Sequence, residues 1–182
     1  IAQALRKKDM NYIAWAIKNQ EKHGAQIIDV CVDEMSAFPE ERFEWIKWTV
    51  EVAQKVTDSI ISIDSSDSRT IYAGLEAHDG SKSRPAINSF NLEDGRQDLV
   101  PMAKEHDALL FVNASGNAGM PANAEERVEN LVTCMGMMVF GGELGLGEEV
   151  ARANWDTFTM ATMTTFQIMT LDNWTDVLYT TV

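Results

Sequence analysis

The sequence predicts an α/β fold with about four parallel strands, followed by a mainly helical C-terminal segment. Short apolar, β-branched runs alternate four times with amphipathic stretches of helical period, which is the rhythm of βαβ units. The runs are apolar on both faces, as expected where helices cover both sides of a parallel sheet. An open doubly wound sheet or part of a β/α barrel would both fit, but no Gly-rich phosphate loop follows the first strand.

The first half of this pattern contains two helices and two strands. Residues 9–24 predict a helix with Asp9 as its N-cap and a glycine at its end. Residues 25–33 are too short and too β-branched for a helix, so we expect a buried strand. Residues 39–56 begin with a proline and acidic residues, which favour a helix start. Residues 59–64 predict the second strand.

The second half continues the alternation. Residues 68–78 predict a helix of three turns, and 86–90 a third strand. Residues 96–106 are expected to be helical at least after their proline, and 108–113 form the fourth predicted strand. Residues 123–134 begin with an asparagine and a glutamate at capping-box spacing, which predicts a further helix.

Composition excludes several classes of function. The net charge of −13 argues against binding to nucleic acid or to anionic membrane surfaces, both of which attract basic proteins. The two cysteines, Cys31 and Cys134, form no CxxC unit, so we expect neither a disulfide framework nor a metal site. No signal peptide and no complete transmembrane span is predicted, and we expect a cytoplasmic location.

Polar side chains gather where the predicted strands end, and ligands of parallel α/β folds bind at these carboxyl ends. The candidates for a site are Asp29, Asp33, Asp64, Ser65, Asn88 and Asn113. Each of them could instead cap the helix that follows. Together they offer carboxylates and amides without a basic residue among them, which suits a neutral heterocycle rich in N–H groups rather than a phosphate.

Three stretches, "GAQIIDVCVDE", "SIDSSDSRTIYAGLEAH" and "PAINSFN", resemble the pterin-binding family over about residues 1–132. The resemblance is to methyltetrahydrofolate:corrinoid methyltransferases and to the folate module of cobalamin-dependent methionine synthase. It implies a (β/α)8 barrel, a reduced folate as ligand and a corrinoid protein as partner. It also implies that Asp64 and Asn88 hydrogen-bond the pterin ring.

The sequence also departs from the family. The opening strand with its "GER-N" motif and the later strands, which carry further ligand-binding residues, are missing, so we expect an incomplete barrel. Cys31 stands where corrinoid-dependent members often have asparagine. We therefore expect residues 1–134 to be a partial domain that binds pterin weakly and is inactive alone, with its catalytic residues unassigned.

The pattern changes after Cys134. Residues 135–182 contain one basic and six acidic residues, and a Gly-rich turn leads to an amphipathic stretch that predicts a helix over 157–169. This segment resembles the pore loop of voltage-gated calcium and related cation channels. The resemblance implies selectivity-filter roles for Thr170, Asp172 and Trp174, with a carboxylate binding a hard cation. An ordinary acidic amphipathic helix is the alternative.

Three functional hypotheses follow from the sequence. The favoured one is a pterin-binding fragment of a corrinoid-dependent methyltransferase. The second is a fragment of a membrane cation channel, and the third is a fusion remnant without either activity. The longer and more motif-rich resemblance favours the first.

Overall fold

The computed structural model describes residues 1–140 together with Ala161 and Thr165. The helices in this part of the chain are α1 (Ala2–Arg6), α2 (Met10–Lys22), α3 (Pro39–Val56), α4 (Ser68–Ala77), α5 (Leu99–Glu105) and α6 (Ala124–Phe140). The strands are β1 (Ile27–Cys31), β2 (Ile60–Asp64), β3 (Ala86–Leu92) and β4 (Leu109–Gly116). A short 3-10 helix, Asp33–Met35, follows β1.

The four strands form one parallel sheet in the order β1-β2-β3-β4. Cys31 of β1 lies opposite Asp64 of β2, and Asp64 lies opposite Asn88 of β3. The predicted α/β class, the neighbour order of the strands and the shared edge of Asp64 and Asn88 are confirmed. This arrangement is consistent with part of a β/α barrel.

The chain divides into two compact units. The first consists of Ile1–Ser89 and Asp98–Phe111, and the second of Phe90–Gln97 and Val112–Val182. The core of the first unit is built from residues of β1, β2, α3 and α4 that are at most 7% exposed: Ile28, Val30, Ile46, Val50, Ile61, Ile63, Ile71 and Leu75. Fully burying side chains of this size stabilises the fold by about 1.5–3 kcal/mol each.

Gly74 lets α4 pack closely against its neighbours. A Cβ atom at this position would lie 2.8 Å from Cγ2 of Ile63 on β2 and 3.1 Å from Cγ1 of Ile46 on α3. The first distance is shorter than a normal van der Waals contact. The absence of a side chain here is therefore a packing requirement.

The predicted helix starts are confirmed, whereas several ends differ. Asp9 caps α2 by accepting from the backbone N–H of Tyr12, and Pro39 occupies the first turn of α3. The first strand is shorter than predicted because Asp33 already belongs to the 3-10 helix. The third and fourth strands extend past their predicted ends to Leu92 and Gly116.

In the second unit, α6 starts as predicted but continues further. Asn123 accepts from the backbone N–H of Glu126 at 2.8 Å, and the Glu126 carboxylate accepts from Ala122, one residue before the cap, at 2.7 Å. The helix then runs through Cys134 to Phe140. The predicted domain boundary at residue 134 thus falls inside α6, and it stays a prediction.

The predicted helix over 157–169 lies outside the described residues apart from Ala161 and Thr165, which are helical and buried. The Thr165 hydroxyl lies 3.0 Å from the hydroxyl of Thr133 on α6. It also donates to the carbonyl of Ala161 at 2.9 Å. Across the described part of the chain, no helix is both long enough and apolar enough to cross a membrane.

Each of the three histidines follows the last residue of a helix: His23 after α2, His78 after α4 and His106 after α5. His78 is half-buried, and burial, reinforced by the neighbouring His106, lowers its pKa below the ordinary value of 6.5. Asp79 opposes this effect. Because the unfolded chain takes up this proton first, acid favours unfolding.

We expect the free energy of unfolding to fall as the pH drops from 7 through 6.5, by at most about 1.4 kcal/mol per pH unit for this one group. His78→Gln should show a shallower pH dependence in urea titrations at pH 7.5, 6.5 and 5.5. His23→Gln, which changes an exposed imidazole bonded to the Asn19 carbonyl, is the control. Equal slopes for His78→Gln and the parent chain would contradict the assignment.

Candidate functional site

One face of the sheet in the first unit carries two rows of mostly polar side chains. Successive residues of a strand point to opposite faces, and Ile61 and Ile63 of β2 are buried on the other face. Cα pairing between the strands then defines the rows. The inner row is Asp29, Ser62 and Ala86, and the outer row, at the carboxyl ends of β1 and β2, is Cys31, Asp64 and Asn88.

A hydrogen bond joins the outer row to the inner row. The amide nitrogen of Asn88 donates to Oδ1 of Asp29 at 3.3 Å, which links β3 to β1 across β2. The Cys31 thiol lies on β1 directly opposite Asp64 on β2. Burial, together with the negative charges of Asp64 and Asp33, raises the pKa of Cys31 to about 11. The thiol is therefore uncharged at neutral pH and acts as a hydrogen-bond donor rather than as a nucleophile.

Asp33 ties the end of β1 to the loop after β2. Its carboxylate accepts from the Ser65 hydroxyl at 2.6 Å, from the Ser66 N–H at 2.8 Å and from the Ser66 hydroxyl at 2.7 Å. Burial alone would raise the pKa of Asp33, but these bonds and the nearby Arg42 hold it below its usual value. Asp33 is thus ionised, and both of its oxygens bind the loop that follows Asp64.

Arg42 is the residue that the sequence interpretation missed. Its guanidinium lies 3.6 Å from Asp33 and 3.8 Å from Asp67, and Asp67 also pairs with Arg69 at 2.9 Å. In a βα unit the helix starts beside the carboxyl end of the preceding strand. A basic residue near the start of α3 could therefore have been predicted from the sequence to lie at this edge of the sheet. Arg42 places a positive charge among the carboxylates there.

Ser65 is buried and serves the same loop. Its hydroxyl donates to Asp33 and accepts from the backbone N–H of Asp67 at 3.1 Å.

Asn113 belongs to the second unit, where it is exposed on β4 and accepts from the Ser115 N–H at 3.3 Å. There the buried Asn91, which sequence patterns did not single out, donates to the Ser115 hydroxyl at 3.0 Å.

The predicted filter residues Thr170, Asp172 and Trp174 lie outside the described residues. Within the described ranges, no group of three or more His, Cys, Asp or Glu side chains is arranged to hold a metal ion.

The structure brings five of the six predicted pterin-site residues together in the first unit: Asp29, Asp33, Asp64, Ser65 and Asn88. Four of these five are bonded in pairs: Ser65 donates to Asp33, and Asn88 donates to Asp29.

Comparison with known proteins identifies the family of the chain that carries this face. Residues 1–139 match the family described as pterin binding enzyme. The chain belongs to the pterin-binding enzyme family. A methylcorrinoid:tetrahydrofolate methyltransferase of Eubacterium limosum is 29% identical over 132 residues, which cover 71% of this chain and 46% of that protein. Methionine synthase of Mycobacterium tuberculosis is 29% identical over 154 residues, 80% of this chain and 12% of that protein.

This pterin-binding family member thus spans about half the length of the methyltransferase that it matches and a small part of methionine synthase. A second match covers the other end. Residues 131–182 match the ion transport protein family. The human voltage-dependent R-type calcium channel subunit alpha-1E is 44% identical over 45 residues, which are 25% of this chain and 2% of the channel subunit.

We expect Asp33→Asn to lower the free energy of unfolding at pH 7 by about 1.5–3 kcal/mol, because it removes a charged hydrogen-bond acceptor. Since the pKa of Asp33 is lowered by folding, its contribution is complete above pH 4 and lost as the pH falls below that value. Urea titrations at pH 7 and pH 3 measure both effects.

Glu34→Gln is the matched control because Glu34 is the exposed neighbour of Asp33. A loss that is equal for the two variants, or a loss for Asp33→Asn that persists at pH 3, would contradict the role given to Asp33.

Proposed function

We propose that the first unit binds the pterin ring of a reduced folate, methyltetrahydrofolate, against Asp64, Asn88 and Asp29. The pterin-binding part would serve a methyltransferase that moves a methyl group between a folate and a corrinoid. The observation that supports this most directly is the outer row, in which a carboxylate and an amide stand side by side on adjacent strands of a pterin-binding family member.

The chemistry of the pyrimidine edge suits these residues. A 2-amino-4-oxo pyrimidine presents two neighbouring N–H groups, and a carboxylate such as that of Asp64 can accept both. Because the nitrogen of Asn88 donates to Asp29, its carbonyl oxygen is the atom available to accept from the ring. The uncharged thiol of Cys31, opposite Asp64 on β1, is a donor placed to orient the carboxylate that the ring requires.

The other predicted residues have supporting roles in this proposal. Asp33 and Ser65 fix the loop after Asp64 rather than touching the ring, since they bond to one another at 2.6 Å. Asn113, which lies in the second unit, is not part of this proposal. The methyl acceptor or donor would be a corrinoid carried by a partner protein or domain, as the name of the Eubacterium limosum relative suggests, and the reaction would take place in the cytoplasm.

We expect the 182-residue chain to bind 5-methyltetrahydrofolate and Asp64→Asn to weaken this binding by about 10- to 150-fold, as lost charged hydrogen bonds of 1.5–3 kcal/mol imply. Asn88→Ala should weaken it by about two- to tenfold, because its bond is between neutral groups. Isothermal titration calorimetry measures both changes.

Asp58→Asn is the control, because Asp58 is an exposed carboxylate in the loop that precedes β2. If the parent chain binds no folate, or if Asp64→Asn binds as tightly as Asp58→Asn, the proposed pterin site is wrong.

We further propose a second candidate function for residues 131–182, favoured by the 44% identity to a calcium channel subunit over 45 residues. In this proposal Thr170, Asp172 and Trp174 form a pore-loop filter, and the Asp172 carboxylate binds a hard cation such as Ca²⁺. The segment would act within a membrane assembly of several such loops.

The chain carries one such loop and the sequence predicts no complete membrane span, so we do not expect it to conduct by itself. For this candidate we expect the full chain to bind Ca²⁺, and Asp172→Asn, but not Asp156→Asn, to weaken that binding. Isothermal titration calorimetry with CaCl₂ measures both changes, and equal affinities for the two variants would contradict the pore-loop role.

A further inference from the structure

The inner row of the site contains a polar group without a partner. Ser62 lies in the middle of β2, with Asp29 on one side and Ala86 on the other as its Cα partners. Its side chain is 1% exposed. Its hydroxyl has no hydrogen-bond partner within the described ranges.

An unpaired buried hydroxyl is unusual. Buried polar side-chain atoms nearly always have a hydrogen-bond partner, and leaving one without a partner destabilises the fold. Ser65, three residues further on and equally buried, both donates to Asp33 and accepts from Asp67. Thr70 on α4 also has a buried hydroxyl without a partner within the described ranges, so the unpaired state of Ser62 indicates a ligand only together with its position.

The position of Ser62 points to a ligand. It precedes Asp64 by two residues on the same face of β2, which places it roughly 7 Å deeper along the strand. Ala86 beside it carries only a methyl group and offers the Ser62 hydroxyl no polar partner. A hydroxyl can donate to a ring nitrogen or carbonyl and accept from an amino group, so it fits any polar atom of a heterocycle inserted past the outer row.

We propose that Ser62 is a ligand-contacting residue whose hydroxyl makes the innermost hydrogen bond to the pyrimidine edge of the bound pterin. This inference rests on the proposed folate site and adds a specificity-determining contact to it. The unpaired hydroxyl of the free protein is then the group that the pterin satisfies on binding, and a ligand without polar atoms at that edge would leave it unsatisfied.

The proposal predicts opposite signs for stability and for binding. Ser62→Ala removes a buried unpaired hydroxyl, so the ligand-free chain should melt at a higher temperature than the parent. The same change removes one neutral hydrogen bond to the ligand, so 5-methyltetrahydrofolate should bind about three- to tenfold more weakly. A purely structural serine would not produce both effects.

Thr70→Val is the matched control. Thr70 lies on α4, is fully buried, and its hydroxyl also has no partner within the described part of the chain. We expect Thr70→Val to raise the melting temperature like Ser62→Ala but to leave the affinity for 5-methyltetrahydrofolate unchanged. Ser62→Cys, which keeps a weak donor of similar shape, should bind with an affinity between those of the parent and Ser62→Ala.

The experiment is calorimetric titration of the full chain and of the three variants with 5-methyltetrahydrofolate, combined with thermal unfolding without ligand. Parent-like affinity of Ser62→Ala, while Asp64→Asn binds weakly, overturns the role of Ser62 and leaves the folate site intact. If the parent chain itself does not bind folate, the proposed site fails, and this inference fails with it.

Discussion

In-register parallel pairing of β1, β2 and β3 is the constraint on which the site depends. Because side chains alternate between the two faces of a strand, a slip of one residue would turn Asp64 toward the helices and Ile63 toward the open face. Buried Ile61 and Ile63 oppose such a slip, since each would lose its place in the core. The hydrophobic layer beneath α3 and α4 therefore sets the positions of the polar groups above it.

The carboxylates at this edge of the sheet divide into two kinds. Asp33 binds Ser65, Ser66 and Arg42, and its charge is balanced within the protein. Such a carboxylate stabilises the loop, and displacing its partners for a ligand would cost about 1–3 kcal/mol for each group left unpaired. Asp64 lies opposite the uncharged thiol of Cys31 on β1 and the amide of Asn88 on β3, and a carboxylate at this position suits a ligand that presents N–H groups.

Sequence patterns could predict the strands and the edge that they share, because apolar runs and strand alternation depend only on local spacing. They placed Asp64 and Asn88 together for this reason. They could not predict that Asp33 would bond to Ser65 and Ser66, since this contact joins two loops separated by more than 30 positions in the chain. The unpaired hydroxyl of Ser62 was likewise invisible, because only coordinates reveal a missing partner.

The two family matches meet inside one continuous helix, α6, so secondary structure is unbroken where one match gives way to the other. The pterin-binding match ends at residue 139 and the ion transport match begins at residue 131, so they overlap within α6. The charged residues of α6 all lie at or before Glu129, and 131–140 contains none. The composition thus changes at about residue 130, before the predicted boundary at 134. Met and Leu favour a helix about as well as Glu and Arg do, and packing of a buried face supplies most helical stability, so the helix continues while its chemistry changes.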